Sequence, residues 1–226
     1  MSALSIYQKR LKQFVEKVTL YPVSCEKLAN GRSDIEWLEA VLAGGAQIVQ
    51  LRDKISDDRT VFEKAKIFRE KTRQANALLI INNRVDIALA VGADGVHLGN
   101  SDLPAEVARQ LAPEMIIGVS ANTEAQASSA KKRGASYYNI GPIFQTSTKG
   151  GLSSFLGVGA IRQFSALSSL PFTVMGGIKH PHIAELTAQG AQRIAVVTAI
   201  TQAEDMVHAT KYWIDQIKKG ASAYLR

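Results

Sequence analysis

Gln50, Arg52 and Lys54 fall at alternate positions at the end of one apolar stretch. In an extended chain this spacing puts Gln50 and Arg52 on one face, and Lys54 continues that face just past the strand. Two cations converging at a strand end are costly to bury without an anion. A diphosphate suits them, because the guanidinium fork meets phosphate oxygens two at a time. The competing arrangement pairs Arg52 with Asp53, Asp57 or Asp58. Further on, Asn82, Asn83 and Asp102 bring oxygen-bearing side chains. Hard oxygen donors suit Mg2+, which takes one or two protein carboxylates beside phosphate oxygens and water. Asp102 has an equal second reading as the N-cap of a helix beginning at Pro104. Ser120 can hydrogen-bond a ligand, and Asn122 or Thr123 caps the helix behind it.

Eight short apolar, β-branched runs must position these groups: 18–24, 48–52, 78–82, 95–99, 115–120, 137–141, 172–177 and 193–199. Their nearly continuous apolar character fits strands buried on both faces. Helical patterns alternate with them at 34–42, 60–76, 84–91, 104–111, 123–132, 159–168, 180–189 and 204–218. Strict alternation implies a parallel sheet, and eight units in 226 residues imply closure. An open doubly wound sheet is the rival, but no G-x-G-x-x-G follows the first strand. The expected fold is α/β, a single (β/α)8 TIM barrel over 1–226 with a short amphipathic helix within 1–17. In that helix Leu4, Tyr7, Leu11, Phe14 and Val15 recur at helical spacing. They are expected to cover the barrel floor or a partner subunit, which leaves a homo-oligomer open.

Function in such a barrel gathers where strands end. Gly176-Gly177 after the seventh strand and Val197-Thr198 at the eighth are therefore expected to form a backbone phosphate cup. The segment 142–156 is polar and too long for an ordinary connection. It is expected to be a lid, carrying Thr146, Thr148 and Lys149 between the two anion sites.

The chain carries 27 basic and 20 acidic residues, a net charge of +7. Its basic clusters, such as Lys131-Lys132-Arg133, sit where helices end and the helix dipole favours cations. No nucleic-acid partner is expected; phosphorylated metabolites are. The lone cysteine, Cys25, permits no intrachain disulfide and points to a reducing, cytoplasmic compartment. No apolar stretch is long enough for a membrane span, so no membrane partner is expected. The histidines lack zinc spacing, and His97 is expected to be a packed, hydrogen-bonded residue rather than a base.

Eight segments, in order, resemble the thiamine phosphate synthase (thiamine-phosphate pyrophosphorylase) family. They are Gln50-Leu51-Arg52-Asp53-Lys54, Ile81-Asn82-Asn83-Arg84-Val85-Asp86, Gly92-Ala93-Asp94-Gly95-Val96-His97-Leu98-Gly99, Gly118-Val119-Ser120, Gly141-Pro142-Ile143-Phe144, Thr146-Ser147-Thr148-Lys149, Gly176-Gly177-Ile178 and Val196-Val197-Thr198-Ala199-Ile200. The resemblance implies a transferase of thiamine biosynthesis. A hydroxymethylpyrimidine diphosphate loses pyrophosphate, and the nitrogen of a thiazole phosphate (or its carboxylated form) takes its place, giving thiamine phosphate. In the family the leaving group departs first, through a pyrimidine carbocation, so little acid–base machinery is needed. By position, Gln50, Arg52, Lys54, Asn82, Ser120 and Lys149 would contact the pyrimidine diphosphate. Arg52, Lys54, Ser120 and Lys149 would be the catalytic set, with Asp102 and Asn83 on Mg2+. Thr146, Thr148, Gly176, Gly177, Val197 and Thr198 would hold the thiazole phosphate.

The chain also departs from that pattern. The family usually has Asn-Asp where Asn82-Asn83 stand, and that aspartate is a Mg2+ ligand. Ser24-Cys25 replace a common Thr-Asp, Gln145 and Ser147 replace prolines of the lid, and Asn122 stands where histidine is frequent. Two rival readings follow. A thiazole tautomerase would need that histidine, since asparagine cannot shuttle a proton at neutral pH. A non-catalytic phosphate-ligand binder would be consistent with the loss at Asn83.

Overall fold

Alternation along each strand decides which side chains enter the barrel. In the computed structural model, which describes residues 4–146 and 154–224, eight strands form: β1 (Leu20–Pro22), β2 (Ile48–Leu51), β3 (Leu78–Asn82), β4 (Gly95–Leu98), β5 (Ile116–Ala121), β6 (Tyr137–Ile140), β7 (Phe172–Val174) and β8 (Ile194–Val196). All pair in parallel, in the order β1-β8-β7-β6-β5-β4-β3-β2. A parallel bridge between Val23 and Gln50, with Ser24 N–H donating to the Gln50 carbonyl at 2.9 Å, joins the two ends. The sheet is therefore a barrel. On β2, Ile48 packs into the barrel interior, while Val49 and Leu51 pack outward against helices. Gln50 and Arg52 share the face of Ile48, as period two requires.

Around the barrel lie α1 (Ile6–Lys17), α2 (Asp34–Ala43), α3 (Asp58–Gln74), α4 (Val85–Val91), α5 (Ala105–Leu111), α6 (Glu124–Ser129), α7 (Gly159–Ala166), α8 (Ile183–Ala188), α9 (Thr198–Thr201) and α10 (Met206–Tyr224). Capping boxes start α1 at Ser5 with Gln8, α2 at Ser33 with Glu36 and α6 at Thr123 with Gln126. Thr123, not Asn122, is thus the cap before α6. Helix α4 stops at Gly92, whose φ of 62° is left-handed.

The floor is closed by α1. Phe14 is fully buried and stacks on Tyr137 at 4.5 Å. Arg193 donates to the carbonyls of Phe14 and Val15, capping the helix end from inside the barrel. The apolar stripe expected on α1 does not all face the floor, because Leu4 and Val15 are exposed.

Several elements differ from their expected extents, two of them beside the strand ends. The eighth strand ends at Val196, and Thr198 opens the four-residue α9 instead of continuing a strand to 199. The helix expected over 180–189 splits at Pro181 into a 3-10 turn, His180–His182, and α8. Of the two equal readings of Asp102, the N-cap one is overturned. Pro104 occupies the cap position before α5 without a side-chain bond, and Asp102 turns elsewhere.

Candidate functional site

The strand ends surround one cavity of about 530 Å³. Gln50, Arg52, Lys54, Asn82, Asn83, Asp102, Ser120, Thr146, Gly176, Gly177, Val197 and Thr198 all line it. Thr148 and Lys149 lie outside the described residues.

Arg52 is half-buried at the end of β2. Its only side-chain hydrogen bond among the described residues is a long one to Cys25 Sγ, 3.7 Å. The competing ion pairs do not form. Asp53 binds Lys64 at 2.8 Å, Asp57 caps α3 through Thr60 N–H at 2.8 Å, and Asp58 pairs with Arg84. A guanidinium aimed into a cavity with no carboxylate beside it is a ready anion site.

Across the mouth of β3 and β4, Asn83 Nδ2 donates to Asp102 Oδ1 at 2.6 Å, and Gly99 N–H donates to Asp102 Oδ2 at 2.6 Å. Asn83 has φ of 65°, a left-handed backbone that asparagine and aspartate tolerate better than other side chains. The two residues proposed for metal are therefore adjacent, although nineteen positions separate them.

A polar relay that sequence reasoning missed lines the cavity's inner wall. Asn82 donates to Gln50 Oε1 at 3.1 Å, and Gln50 Nε2 donates to Tyr21 OH at 2.8 Å. The Tyr21 and Tyr137 hydroxyls are 2.9 Å apart, and Tyr137 OH lies 3.2 Å from His97 Nδ1. His97 Nε2 in turn lies 3.3 Å from Ser120 Oγ. Burial pushes His97 down to about 4, against the opposing pull of Asp102. The ring keeps an edge on the cavity but is neutral at pH 7. With Nε2 protonated, every partner has one donor and one acceptor role, and the Ser120 hydroxyl is left to donate into the cavity. Burial also raises both tyrosines, so they stay protonated. His97 is thus hydrogen-bonded structure, as expected. The signal for Tyr21 and Tyr137 was their inward strand positions combined with a hydroxyl that burial obliges to find a partner.

At the opposite side, Gly176 and Gly177 have φ of 108° and 63°. A Cβ on Gly177 would stand 2.2 Å from the Gln145 carbonyl oxygen. The pair is required by the incoming loop root as well as by an open backbone. Neither the Gly177 nor the Thr198 N–H donates to another described residue. Asn122, which also lines the cavity, donates to the Gly141 carbonyl and accepts from Asn100 at 2.7 Å.

Comparison with known proteins identifies the family. Residues 20–200 match the family model described as thiamine monophosphate synthase. A thiamine-phosphate synthase of Moorella thermoacetica is 43% identical over 193 residues, 85% of this chain and 92% of that one. One of Caldicellulosiruptor saccharolyticus is 36% identical over 217 residues, 96% and 98% of the two chains. The solved structure of a thiamine phosphate pyrophosphorylase from Pyrococcus furiosus superposes with a TM-score of 0.83 at 34% identity, covering 90% of this chain and 97% of that one. A 3-hexulose-6-phosphate synthase, 18% identical with a TM-score of 0.63, shares the barrel fold alone. The chain belongs to the thiamine monophosphate synthase family.

Proposed function

We propose that this chain is a transferase that joins a hydroxymethylpyrimidine diphosphate to a thiazole phosphate, releasing pyrophosphate and forming thiamine phosphate. The observation that carries the reading is two sets of donors of different kind lining one cavity. Arg52 and Lys54 supply charge on one side. The backbone N–H groups at Gly177 and Thr198 supply neutral donors on the other. Charge that moves during the reaction faces the cations, and a spectator phosphate faces the cup.

The C–O bond to the diphosphate breaks, and the thiazole nitrogen donates its electron pair to the same carbon. No proton transfer at the reacting atoms is required, which suits a wall whose histidine is neutral and hydrogen-bonded on both nitrogens. Arg52, Lys54 and Lys149 stabilise the departing diphosphate, while Ser120, Gln50 and Asn82 hold the pyrimidine. Thr146 and Thr148 join Gly176, Gly177, Val197 and Thr198 on the thiazole phosphate.

Mg2+ fits the donor set at β3 and β4. Asp102 is a carboxylate on the cavity wall, and Asn83 beside it carries an amide oxygen on a side chain whose amide now donates to that carboxylate. Bound there with the substrate, the ion would neutralise diphosphate charge. The partners on this reading are the two small-molecule substrates, with no nucleic acid or membrane and a cytoplasmic setting. Among the described residues no helix is long and apolar enough to cross a membrane. The test is pyrophosphate release in the presence of both substrates and Mg2+. A thiazole tautomerase or a non-catalytic binder would release none, and that result would remove the proposal.

A further inference from the structure

Behind the end of β2, outside the cavity, an ammonium sits among three carboxylates. Lys64 on α3 reaches Glu26, Asp34 Oδ2 at 3.2 Å and Asp53 Oδ2 at 2.8 Å. The three acids are close enough together to hold a metal ion, but Lys64 already supplies the positive charge. The side chains of Asp34 and Asp53 are only 1% and 6% exposed, while those of Lys64 and Glu26 are 19% and 45% exposed.

Asp53 stands between the two cavity cations, so its partners bear directly on the Arg52-Asp53-Lys54 segment. Asp53 Oδ1 accepts the N–H groups of Ile55 and Ser56, both at 3.0 Å, which fixes the chain just beyond Lys54. On the other flank, Ser24 Oγ accepts the Arg52 N–H at 3.1 Å. Burial would raise the Asp53 carboxyl, but Lys64 and the Ser56 and Ile55 N–H groups outweigh it and keep it ionised. Without Lys64, two buried carboxylates would face each other with no counter-ion. They would have to separate or take up a proton, and either change shifts the segment that carries both cavity cations. Lys64, Asp34 and Asp53 do not themselves line the cavity.

We propose that Lys64 is a positioning residue, which aims Arg52 and Lys54 at the diphosphate by tying down Asp53 between them. This rests on the transferase reading above. Lys64→Met keeps the length of the stem and removes the charge; Lys64→Arg restores a cation.

The experiment first measures pyrophosphate release by the unaltered protein, whose absence would sink the transferase reading irrespective of Lys64. Binding of inorganic pyrophosphate, followed calorimetrically with Mg2+ present, then reports the aim of the cations without turnover. Lys64→Met should raise the pyrophosphate Kd and the KM for the pyrimidine diphosphate by about tenfold or more. The KM for the thiazole phosphate should stay near its original value, and Lys64→Arg should recover most of the loss. A folded Lys64→Met protein with both KM values unchanged, or both raised alike, overturns the proposal. Should Lys64→Met fail to fold, Asp53→Asn weakens the same tie and must give the same selective pattern; a uniform loss there overturns it equally.

Discussion

Arg52 faces a cavity instead of a carboxylate, so its charge is available to a ligand and its loss should be felt in the reaction more than in stability. Removing one donor from developing charge typically costs about 2–4 kcal/mol, and Arg52→Ala should lower kcat/KM by that amount. Steady-state kinetics that match the unaltered protein would place the diphosphate elsewhere. Asn83 offers the complementary experiment. Its amide nitrogen is 2.6 Å from Asp102 Oδ1, so Asn83→Asp would set two carboxylates against each other in the metal-free protein. The variant should melt at a lower temperature without Mg2+ and gain more on its addition. It should also need less Mg2+ for half-maximal rate, because a second charge now attracts the ion. An active variant with an unchanged Mg2+ requirement would show that residue 83 does not face the metal.

At the scale of elements, α1 and the strand ends do different work. Phe14 is wholly enclosed between the barrel floor and Tyr137, and Arg193 anchors the helix end above it by two carbonyls. Phe14→Ala should cost about 3–5 kcal/mol, read as a lower denaturant midpoint at constant slope. A loss below about 1 kcal/mol would mean that the floor collapses into the space. The strands themselves were legible in sequence, because burial on both faces leaves short unbroken apolar runs. Period two likewise placed Gln50 and Arg52 on the cavity face. The eighth run looks longer in sequence than its strand is, because Val197, Thr198 and Ala199 continue its β-branched and apolar character into the turn of α9. The bond between Asn83 and Asp102 could not be read, since it depends on how β3 and β4 align in space. Tyr21 and Tyr137 were hidden differently: within apolar strands they look like packing residues, and only neighbours on other strands reveal their hydroxyls as a relay.

For the molecule as a whole, two buried groups pull stability in opposite directions over one pH window. His97 is lowered from 6.5 to about 4 by burial. As pH falls from 6.5 towards 4 the unfolded chain takes up a proton that the folded one refuses, so His97 lowers stability on acidification. His180, also held down by burial, acts in the same direction. Asp34 is raised from 3.8 to about 6 by burial, against the pull of Lys64 and Ser24 and with Glu26 repelling its charge. The folded chain therefore binds a proton at Asp34 between pH 6 and 3.8 while the unfolded chain does not, and stability rises on acidification. Asp53 is held so low that its contribution is lost only at more acid pH. The opposed slopes should leave the melting temperature comparatively flat between pH 6.5 and 4.5. Asp34→Asn removes the rising contribution and leaves the histidines unopposed, so its melting temperature should fall more steeply over the same interval. The comparison is of slopes, which a constant loss from the weakened Lys64 cluster does not alter. An Asp34→Asn protein with the same slope as the unaltered chain would mean that Asp34 stays ionised throughout, with Lys64 and Ser24 outweighing its burial.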